Sequence, residues 1–127
     1  MIGDIINHLL ADSRITEYVG TRIFPVQLNQ EEALPAIMIT INDVEANPTK
    51  TAASTDDFVE LDLTTYAKSA LDAFTIAERI RTSLDNYSGT MGSTNFQGIR
   101  FERLNMNHFA GDSIYMCASE FQAHQRR

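Results

Sequence analysis

Three stretches of the chain alternate apolar and polar residues with a period of two, and no other feature constrains the fold as strongly. The first runs from Pro35 to Val44 (PAIMITINDV), with β-branched isoleucine at alternate positions. The second and third are residues 58–67 and 113–124. Such alternation, rich in β-branched residues, is typical of strands that pack on a core with one face. The sequence therefore predicts three long strands, each with an apolar and a polar side.

The strand predicted at 58–67 separates its two sides most clearly. Because side chains alternate across a strand, residues two apart share a side. Its apolar side holds Val59, Leu61, Leu63 and Thr65, and its polar side holds Glu60, Asp62 and Thr64. Shorter strands are predicted at 22–24, ending at Pro25, and at 99–106, with a further short strand near Asn95 and Phe96.

Helical spacing of apolar residues marks three segments. At 2–11, isoleucine and leucine recur at intervals of three and four residues. A second, short helical turn is predicted at 13–18, closed by Gly20. The longest helix is predicted at about 69–86, where Ser69 and Asp72 fit a capping box. Its apolar stripe consists of Leu71, Phe74, Ala77, Ile80 and Leu84.

These elements predict an α+β fold in a single domain over residues 1–127. Consecutive strands joined by hairpins favour a mostly antiparallel β-sheet. The N-terminal helix and the longer central helix are expected to cover one face of this sheet. A polar segment at 45–57 predicts a long flexible loop. Residues 107–112 predict a turn and residues 125–127 a frayed tail.

The charge balance argues against a nucleic-acid-binding protein. The 17 acidic and 10 basic residues give a formal net charge of −7. A protein that binds phosphates concentrates Lys and Arg on one surface, whereas the basic residues of this chain are scattered apart from Arg126 and Arg127. Its apolar runs are shorter than the ~20 residues that a membrane span needs, and MIGDIINHLL lacks the pattern of a secretory signal. A cytosolic location without membrane contact is therefore expected.

No arrangement of residues in the sequence indicates catalysis, a cofactor or a metal. The three histidines are far apart, without the close spacing of zinc ligand pairs. The lone cysteine, Cys117, stands at a strand centre, where a buried and inert thiol is the usual case. The paired carboxylates Glu31-Glu32 and Asp56-Asp57 are neighbours in the chain, and such neighbours point apart on an extended backbone. We therefore predict a protein that is not an enzyme and uses no cofactor.

A series of landmarks follows in order along the chain. GTRIFP at 20–25 is followed by LPAIMI at 34–39. After a long variable loop come VELDLTTYAKSALDAFTIAERIRTSLD at 59–85 and a late pair of strands. In their order and spacing, from Ile5 to Phe121, these landmarks resemble the tail completion or tail terminator family of long-tailed bacteriophages and prophages, also called tail-to-head joining proteins.

The resemblance implies a structural protein of the virion, made in the cytoplasm of a bacterial host. Proteins of this family form a hexameric ring on the head-proximal end of the tail tube, where they end tube growth and provide the head–tail joining surface. The implied partners are further copies of the chain, the tail tube protein and the head–tail connector protein. DNA passes through the ring without specific binding. The family has no catalytic residues to carry over.

The acidic borders of the predicted loop are candidates for a surface that faces the ring lumen or the tube. An acidic lumen repels phosphates and leaves DNA mobile. The candidate residues are Asp43, Glu45, Asp56 and Asp57. A loop that is merely solvated accounts for them equally well at this point.

Ring contacts between unlike patches use exposed apolar residues as anchors. The candidates for the subunit interface are Phe58 and Tyr66, on the polar side of their strand, and Phe109 in the late turn. For each of them a place in the core is an alternative at least as strong.

Two other functions stay open on the sequence. A connector stopper or a tail tube subunit could share this fold, and a tube subunit would polymerise into long filaments instead of stopping at one ring. A small α+β ligand-binding domain or enzyme would need a concave, polar-lined pocket. The sequence supplies no convergent cluster of ionisable residues for such a pocket.

Overall fold

The computed structural model describes residues 1–25, 33–47, 56–109 and 114–126, and these ranges contain three helices and six strands. The helices are α1 (Ile2–Leu10), α2 (Ser13–Val19) and α3 (Ala70–Leu84). The strands are β1 (Ile23–Pro25), β2 (Ala36–Asn47), β3 (Asp56–Ala67), β4 (Gly89–Met91), β5 (Thr94–Phe109) and β6 (Ile114–Arg126). The predicted α+β class is confirmed.

All six strands of the described ranges belong to one sheet, in the order β1-β2-β3-β6-β5-β4. The short β1 runs parallel to β2, and every other neighbouring pair is antiparallel. The four long strands form the centre of the sheet, whereas β1 and β4, with three residues each, lie at its edges. The mostly antiparallel sheet predicted from the sequence is therefore present.

The core forms on the apolar side of the long strands. Leu61 of β3 lies opposite Phe121 of β6, and both are buried. Buried residues of all three helices, among them Ile5, Ile15 and Ile80, belong to the same apolar cluster. The separation of sides predicted for 58–67 is correct, because Val59, Leu61, Leu63 and Thr65 are all buried. This cluster joins the helices to the sheet and gives the fold most of its hydrophobic stabilisation.

The apolar stripe predicted for α3 is wrong in its first half. Leu71 is 73% exposed and Phe74 is 40% exposed, whereas Ala73 and Ile76 are fully buried. Ala73 and Ala77 pack with Ala67 and Cys117 in a second, smaller cluster. Small side chains let the helix approach the sheet closely, and this contact fixes the rotation of α3 more strongly than the larger residues do. The predicted cap is present, because the Ser69 hydroxyl accepts a hydrogen bond from the Asp72 backbone N–H at 3.5 Å.

The strands extend further than the sequence predicted. Glu45–Asn47 belong to β2 and Asp56–Asp57 to β3, so the predicted loop at 45–57 is too long at both ends, and residues 48–55 lie outside the described ranges. The predicted tail is also wrong in part: Gln125 and Arg126 pair with β3, and Arg127 is not described. Continued pairing along β3 keeps these polar residues extended, although their strand propensity is low.

The late strands also differ from the prediction. The sequence did not indicate β4. The short strand predicted near Asn95 and Phe96 and the strand predicted at 99–106 are both parts of one strand, β5, which begins at Thr94. Residues 107–109, predicted as part of a turn, continue β5, and residues 110–113 lie outside the described ranges. Bulges in β5 after Phe96 and Phe101 interrupt its alternation. Because a bulge shifts side chains to the other face, the sequence pattern of β5 does not show its full length.

The N-terminal helix is tied to the β4–β5 turn by one carboxylate. Asp4 of α1 accepts hydrogen bonds from the Ser93 hydroxyl at 3.2 Å and from the Thr94 hydroxyl. The hydrogen bond from Thr94, with support from Ser93, holds the pKa of Asp4 below its ordinary value. Gly92 at this turn has a φ of +61°, and a Cβ atom there would overlap the Asp4 carboxylate.

We expect Gly92→Ala to destabilise the fold, because alanine must adopt the left-handed conformation and displace Asp4. The left-handed conformation alone costs roughly 1–2 kcal/mol. Urea unfolding followed by circular dichroism measures this loss. Gly3→Ala is the matched control, since a Cβ atom at Gly3 of α1 meets nothing within 4 Å. Equal stability of the two variants would contradict the role of the turn.

Candidate assembly surface

The side of the sheet opposite the core carries most of the charged residues of the long strands, and we call it the polar side. Within the described ranges, neither buried apolar cluster includes a residue from this side of β3. The strand registers place six carboxylates and three guanidinium groups on the polar side, and a seventh carboxylate, that of Glu102 at a β5 bulge, joins them through its contact with Glu60. The carboxylates are Asp43, Glu45, Asp56, Glu60, Asp62, Glu102 and Glu120, and the guanidinium groups are Arg100, Arg103 and Arg126.

A row of polar side chains crosses the middle of the polar side. The Gln122 amide on β6 donates to the Glu60 carboxylate on β3 at 3.4 Å and accepts from the Arg100 guanidinium on β5 at 2.8 Å. Glu102 stands at the bulge of β5, from which its carboxyl group reaches Glu60. Burial, followed by Glu102 and then by Asp43, raises the pKa of Glu60. Two carboxyl groups in contact resist ionising together.

The next row along the sheet is acidic at its centre. Asp62 lies opposite Glu120 on one side and Thr40 on the other. The guanidinium of Arg103 contacts the Glu120 carboxylate at 2.9 Å. Asp62 Oδ1 is buried and has no hydrogen-bond partner among the described residues. The polar side therefore holds carboxylates at close spacing with partial compensation by arginine.

Three of the four predicted acidic residues lie on the polar side. Asp43 and Glu45 are exposed on β2, opposite Glu60 and Phe58 of β3. Asp56 begins β3 and accepts from the Arg126 guanidinium at 3.4 Å. Asp57 alternates to the other side, where it lies opposite Ala46. The structure therefore brings three of the four residues to one side of the sheet, on paired strands rather than on a loop, and their position toward a lumen or a tube stays a prediction.

The three aromatic candidates differ in their surroundings. Phe58 is half-buried and its ring lies 4.7 Å from the ring of His124. Tyr66 is half-buried, and burial raises the pKa of its hydroxyl. The backbone of Phe109 pairs with Ile114 at the end of β5, and its side chain lies outside the described part of the chain. Their role in a subunit interface stays a prediction.

Comparison with known proteins decides the family. A family model described as "Tail completion protein gp17" matches residues 3–106. The chain belongs to the tail completion protein gp17 family. A search of curated protein sequences found no match.

The fold recurs in a solved virion. A chain from a structure entitled "Virion of native gene transfer agent (GTA) particle" superposes with a TM-score of 0.82, over 97% of this chain and 92% of that chain. The two sequences are 16% identical, so the likeness shows the fold alone.

Membership of the tail completion family makes the chain a structural protein of a phage tail. The resemblance seen in the sequence is thereby confirmed. The family consists of structural components of the virion rather than enzymes. In the described ranges, no group of three or more His, Cys, Asp and Glu side chains could hold a metal ion. Among the helices described, none is long and apolar enough to cross a membrane.

Cys117 has the environment that its strand position predicted. The side chain is fully buried, and burial raises the pKa of its thiol. Nucleophilic cysteines need the opposite, an accessible thiolate stabilised by a cation or a helix N-terminus. In this family member the cysteine therefore packs against α3 and contributes to the core.

The sequence analysis missed the residues that β5 and β6 bring to the polar side. Glu102 and Gln122 are 20 positions apart in the chain and more than 40 from Glu60. Pairing of three strands brings them together. The bulge at Glu102 interrupts the period-two alternation, so the sequence pattern does not predict on which side of the sheet Glu102 lies. The available signal was RFER at 100–103, a charged run around one aromatic residue within a predicted strand.

The burial of Glu60 and its contact with the Glu102 carboxyl group predict a pH dependence of stability. Because the pKa of Glu60 is raised in the folded state, the folded chain binds more protons than the unfolded chain in the range just above the ordinary glutamate pKa. The free energy of unfolding therefore falls as pH rises through that range. We expect Glu60→Gln to remove this fall and to stabilise the protein at neutral pH by up to about 1 kcal/mol, the scale of like-charge pairs on a sheet.

Urea unfolding at several pH values between about 4 and 8 tests this expectation. The control is Glu78→Gln, an exposed position on α3 away from the pair. If Glu60→Gln follows the wild-type pH profile without a gain at neutral pH, the two carboxyl groups do not interact in solution.

Proposed function

We propose that the protein forms a ring, a hexamer, that caps the head-proximal end of a phage tail tube. The ring ends tube polymerisation and provides the surface on which the head–tail connector docks. The match of the tail completion model to residues 3–106 is the observation that carries this proposal. In this role the chain works as a single domain, without a cofactor and without catalysis.

The acidic polar side suits a channel through which DNA passes. Seven carboxylates against three guanidinium groups make this side repulsive to phosphates, and repulsion keeps DNA mobile. We place Asp43, Glu45 and Asp56 toward the lumen or the tube on this basis. Asp57, on the other side of β3, is assigned to the axial face toward the tube.

The remaining contacts are with other proteins. Phe58, Tyr66 and Phe109 are proposed to anchor contacts between subunits, where apolar side chains contribute most of the binding energy. The tail tube protein binds one axial face of the ring and the head–tail connector protein binds the other. The protein is therefore assigned to the head-proximal end of the tail in the virion.

Tube assembly in the presence of the purified protein tests this function. We expect tubes to stop growing and to carry density at one end in electron micrographs. Light scattering after size exclusion, over a range of protein and magnesium concentrations, should show a ring near six subunits, in solution or after release from tubes. Long filaments of the protein alone would identify a tube subunit instead, and tubes of unchanged length without bound protein would rule out the capping role.

A charge reversal on the polar side should change the behaviour of DNA. We expect Glu102→Lys, at the centre of the polar side, to give the assembled ring a salt-dependent affinity for double-stranded DNA. Each phosphate neutralised adds about 0.9 to the slope of log affinity against log salt. Fluorescence anisotropy with labelled DNA measures it, and Glu78→Lys on α3 is the control with the same change in charge. Equal DNA binding by both variants would contradict a lumen lined by the polar side.

A further inference from the structure

Each outer long strand of the sheet is only partly covered by its short neighbour. β1 pairs with residues 37–39 of β2, and no described residue pairs with 41–47 on that edge. β4 pairs with residues 94–96 of β5, and the turn before β4 hydrogen-bonds to Ile99. On the same edge, no described residue pairs with 103–109. We call 41–47 the β2 edge and 103–109 the β5 edge.

Each edge presents a row of backbone N–H and C=O groups that another strand can pair with. The two edges have the same length, seven residues each by their numbering. Both lie in strands that are held on their other side by continuous pairing, with β3 and with β6. They are therefore held extended, and within the described ranges no strand pairs with them on the outer side.

The side chains on the two edges also match. Four large apolar side chains are exposed among the described residues, and two of them are Val44 on the β2 edge, at 53%, and Met106 on the β5 edge, at 44%. Val44 lies opposite Val59 and Met106 opposite Cys117, so both belong to the apolar side of the sheet. If the β2 edge of one copy lay beside the β5 edge of another, Val44 and Met106 would shield each other from solvent.

The polar side of the two edges carries complementary charge. Asp43 and Glu45 on the β2 edge are acidic. On the β5 edge the corresponding side carries Arg103, whose side chain is 68% exposed although it pairs with Glu120. Asn105 and Asn107 follow on the same side. When Val44 lies opposite Met106 in an antiparallel pair, Glu45 lies opposite Asn105, and Arg103 is a diagonal neighbour of Glu45 within reach of its long side chain. Pairs of opposite charge stabilise a sheet, and like charges directly opposite destabilise it.

We propose that the β2 edge of one copy pairs antiparallel with the β5 edge of the next copy, so that the sheets of neighbouring subunits join. This inference rests on the proposed ring and places its subunit interface at these two strand edges. Of the three aromatic residues proposed as anchors, Phe109 lies on the β5 edge, whereas Phe58 and Tyr66 are on the central strand β3 and are not part of this interface. β2 and β5 run in opposite directions within the sheet, since three antiparallel steps separate them. A rotation that keeps the strand direction therefore brings the two edges together antiparallel, with apolar sides aligned.

The alternative of identical edges meeting is less favourable. Two β2 edges in antiparallel pairing would place Asp43 and Glu45 of one copy against the same residues of the other. That arrangement puts acidic groups opposite each other on the polar side. The unlike pairing is heterologous, and a heterologous contact generates a ring when its rotation closes.

The two edges are shifted relative to each other along the strand direction, and this shift is compatible with a closed ring. Val44 lies level with Ile99 across the sheet, and Met106 lies seven residues beyond Ile99 with one bulge between. Six residue steps of about 3.4 Å therefore shift Met106 along the strand direction by roughly 20 Å relative to Val44. Four strands about 4.8 Å apart give each copy a sheet width of roughly 19 Å. Strands must then tilt by roughly 45°, near the 35–45° typical of closed barrels. The same shift keeps β1 and β4 clear of the joint.

Disulfide cross-linking between copies tests the inference. Val44→Cys and Met106→Cys chains are mixed, assembled in solution or on isolated tail tubes, and oxidised. We expect a covalent dimer several-fold above that of Val44→Cys mixed with Leu71→Cys, and a ladder of higher species from the double variant. Leu71 is the matched control because it is an apolar residue on α3 with 73% exposure, away from both edges. The wild-type chain, whose Cys117 is buried, controls for background.

A second pair of variants removes the dependence on thiol chemistry. Met106→Asp should abolish assembly, because it buries a charge beside Val44 at the joint, whereas Leu71→Asp should leave assembly intact. Circular dichroism checks that both variants fold. Assembly that persists in Met106→Asp would overturn the edge pairing.

The outcomes separate the inference from the proposed function. Rings or capped tubes without preferential Val44–Met106 cross-linking would overturn the edge pairing and leave the capping role standing. A chain that neither forms rings nor binds tubes would overturn both. Cross-linked chains that grow into open filaments would support the edge pairing and reject the cap.

Discussion

The pairing of β3 with β6 is the constraint on which the rest of the structure depends. These strands lie at the centre of the sheet and stay in register from Asp56 opposite Arg126 to Ala67 opposite Tyr115. A shift of one residue would turn every side chain of a strand to the other face. The register therefore decides at once which residues meet the helices and which form the polar side. The core around Leu61 and Phe121 and the carboxylates around Glu60 are two results of one alignment.

Where this alignment is regular, the sequence predicted the structure well. β3 and β6 alternate without interruption, so their sides could be assigned from period two alone. In β5 two bulges shift the phase, and the strand looked shorter than it is. For α3 the spacing predicted a helix, but large residues suggested the wrong rotation, because contact of Ala73 and Ala77 with the sheet outweighs burial of Leu71 and Phe74. The ends of β2, β3 and β6 were missed because strand pairing keeps polar residues there extended, although their strand propensity is low.

The candidate surface was accessible to sequence reasoning only in part. Asp43, Glu45 and Asp56 stood out as acidic residues beside a polar segment, and the structure groups them on one side of the sheet. Their neighbours Glu102, Glu120 and Arg103 come from strands far along the chain, so only the strand order brings them close. Phe58 shows the limit of reasoning from a single strand. Its sequence position left an interface anchor and a core residue equally open, and only the strand pairing shows that His124 of β6 packs against it with the ring planes tilted by 30°.

The division of the sheet into an apolar and a polar side also determines which forces act between two copies. A net charge of −7 per chain makes every approach of two copies unfavourable at long range. Salt screens such repulsion within about 10 Å at 0.1 M ionic strength. In the proposed ring, backbone pairing and the contact of Val44 with Met106 act at short range and must overcome this repulsion. An assembly of this kind is expected to depend on salt. In the proposed cap, a tail tube end would align the first subunits, and a free monomer and a ring on the tube would then be two states of the same protein.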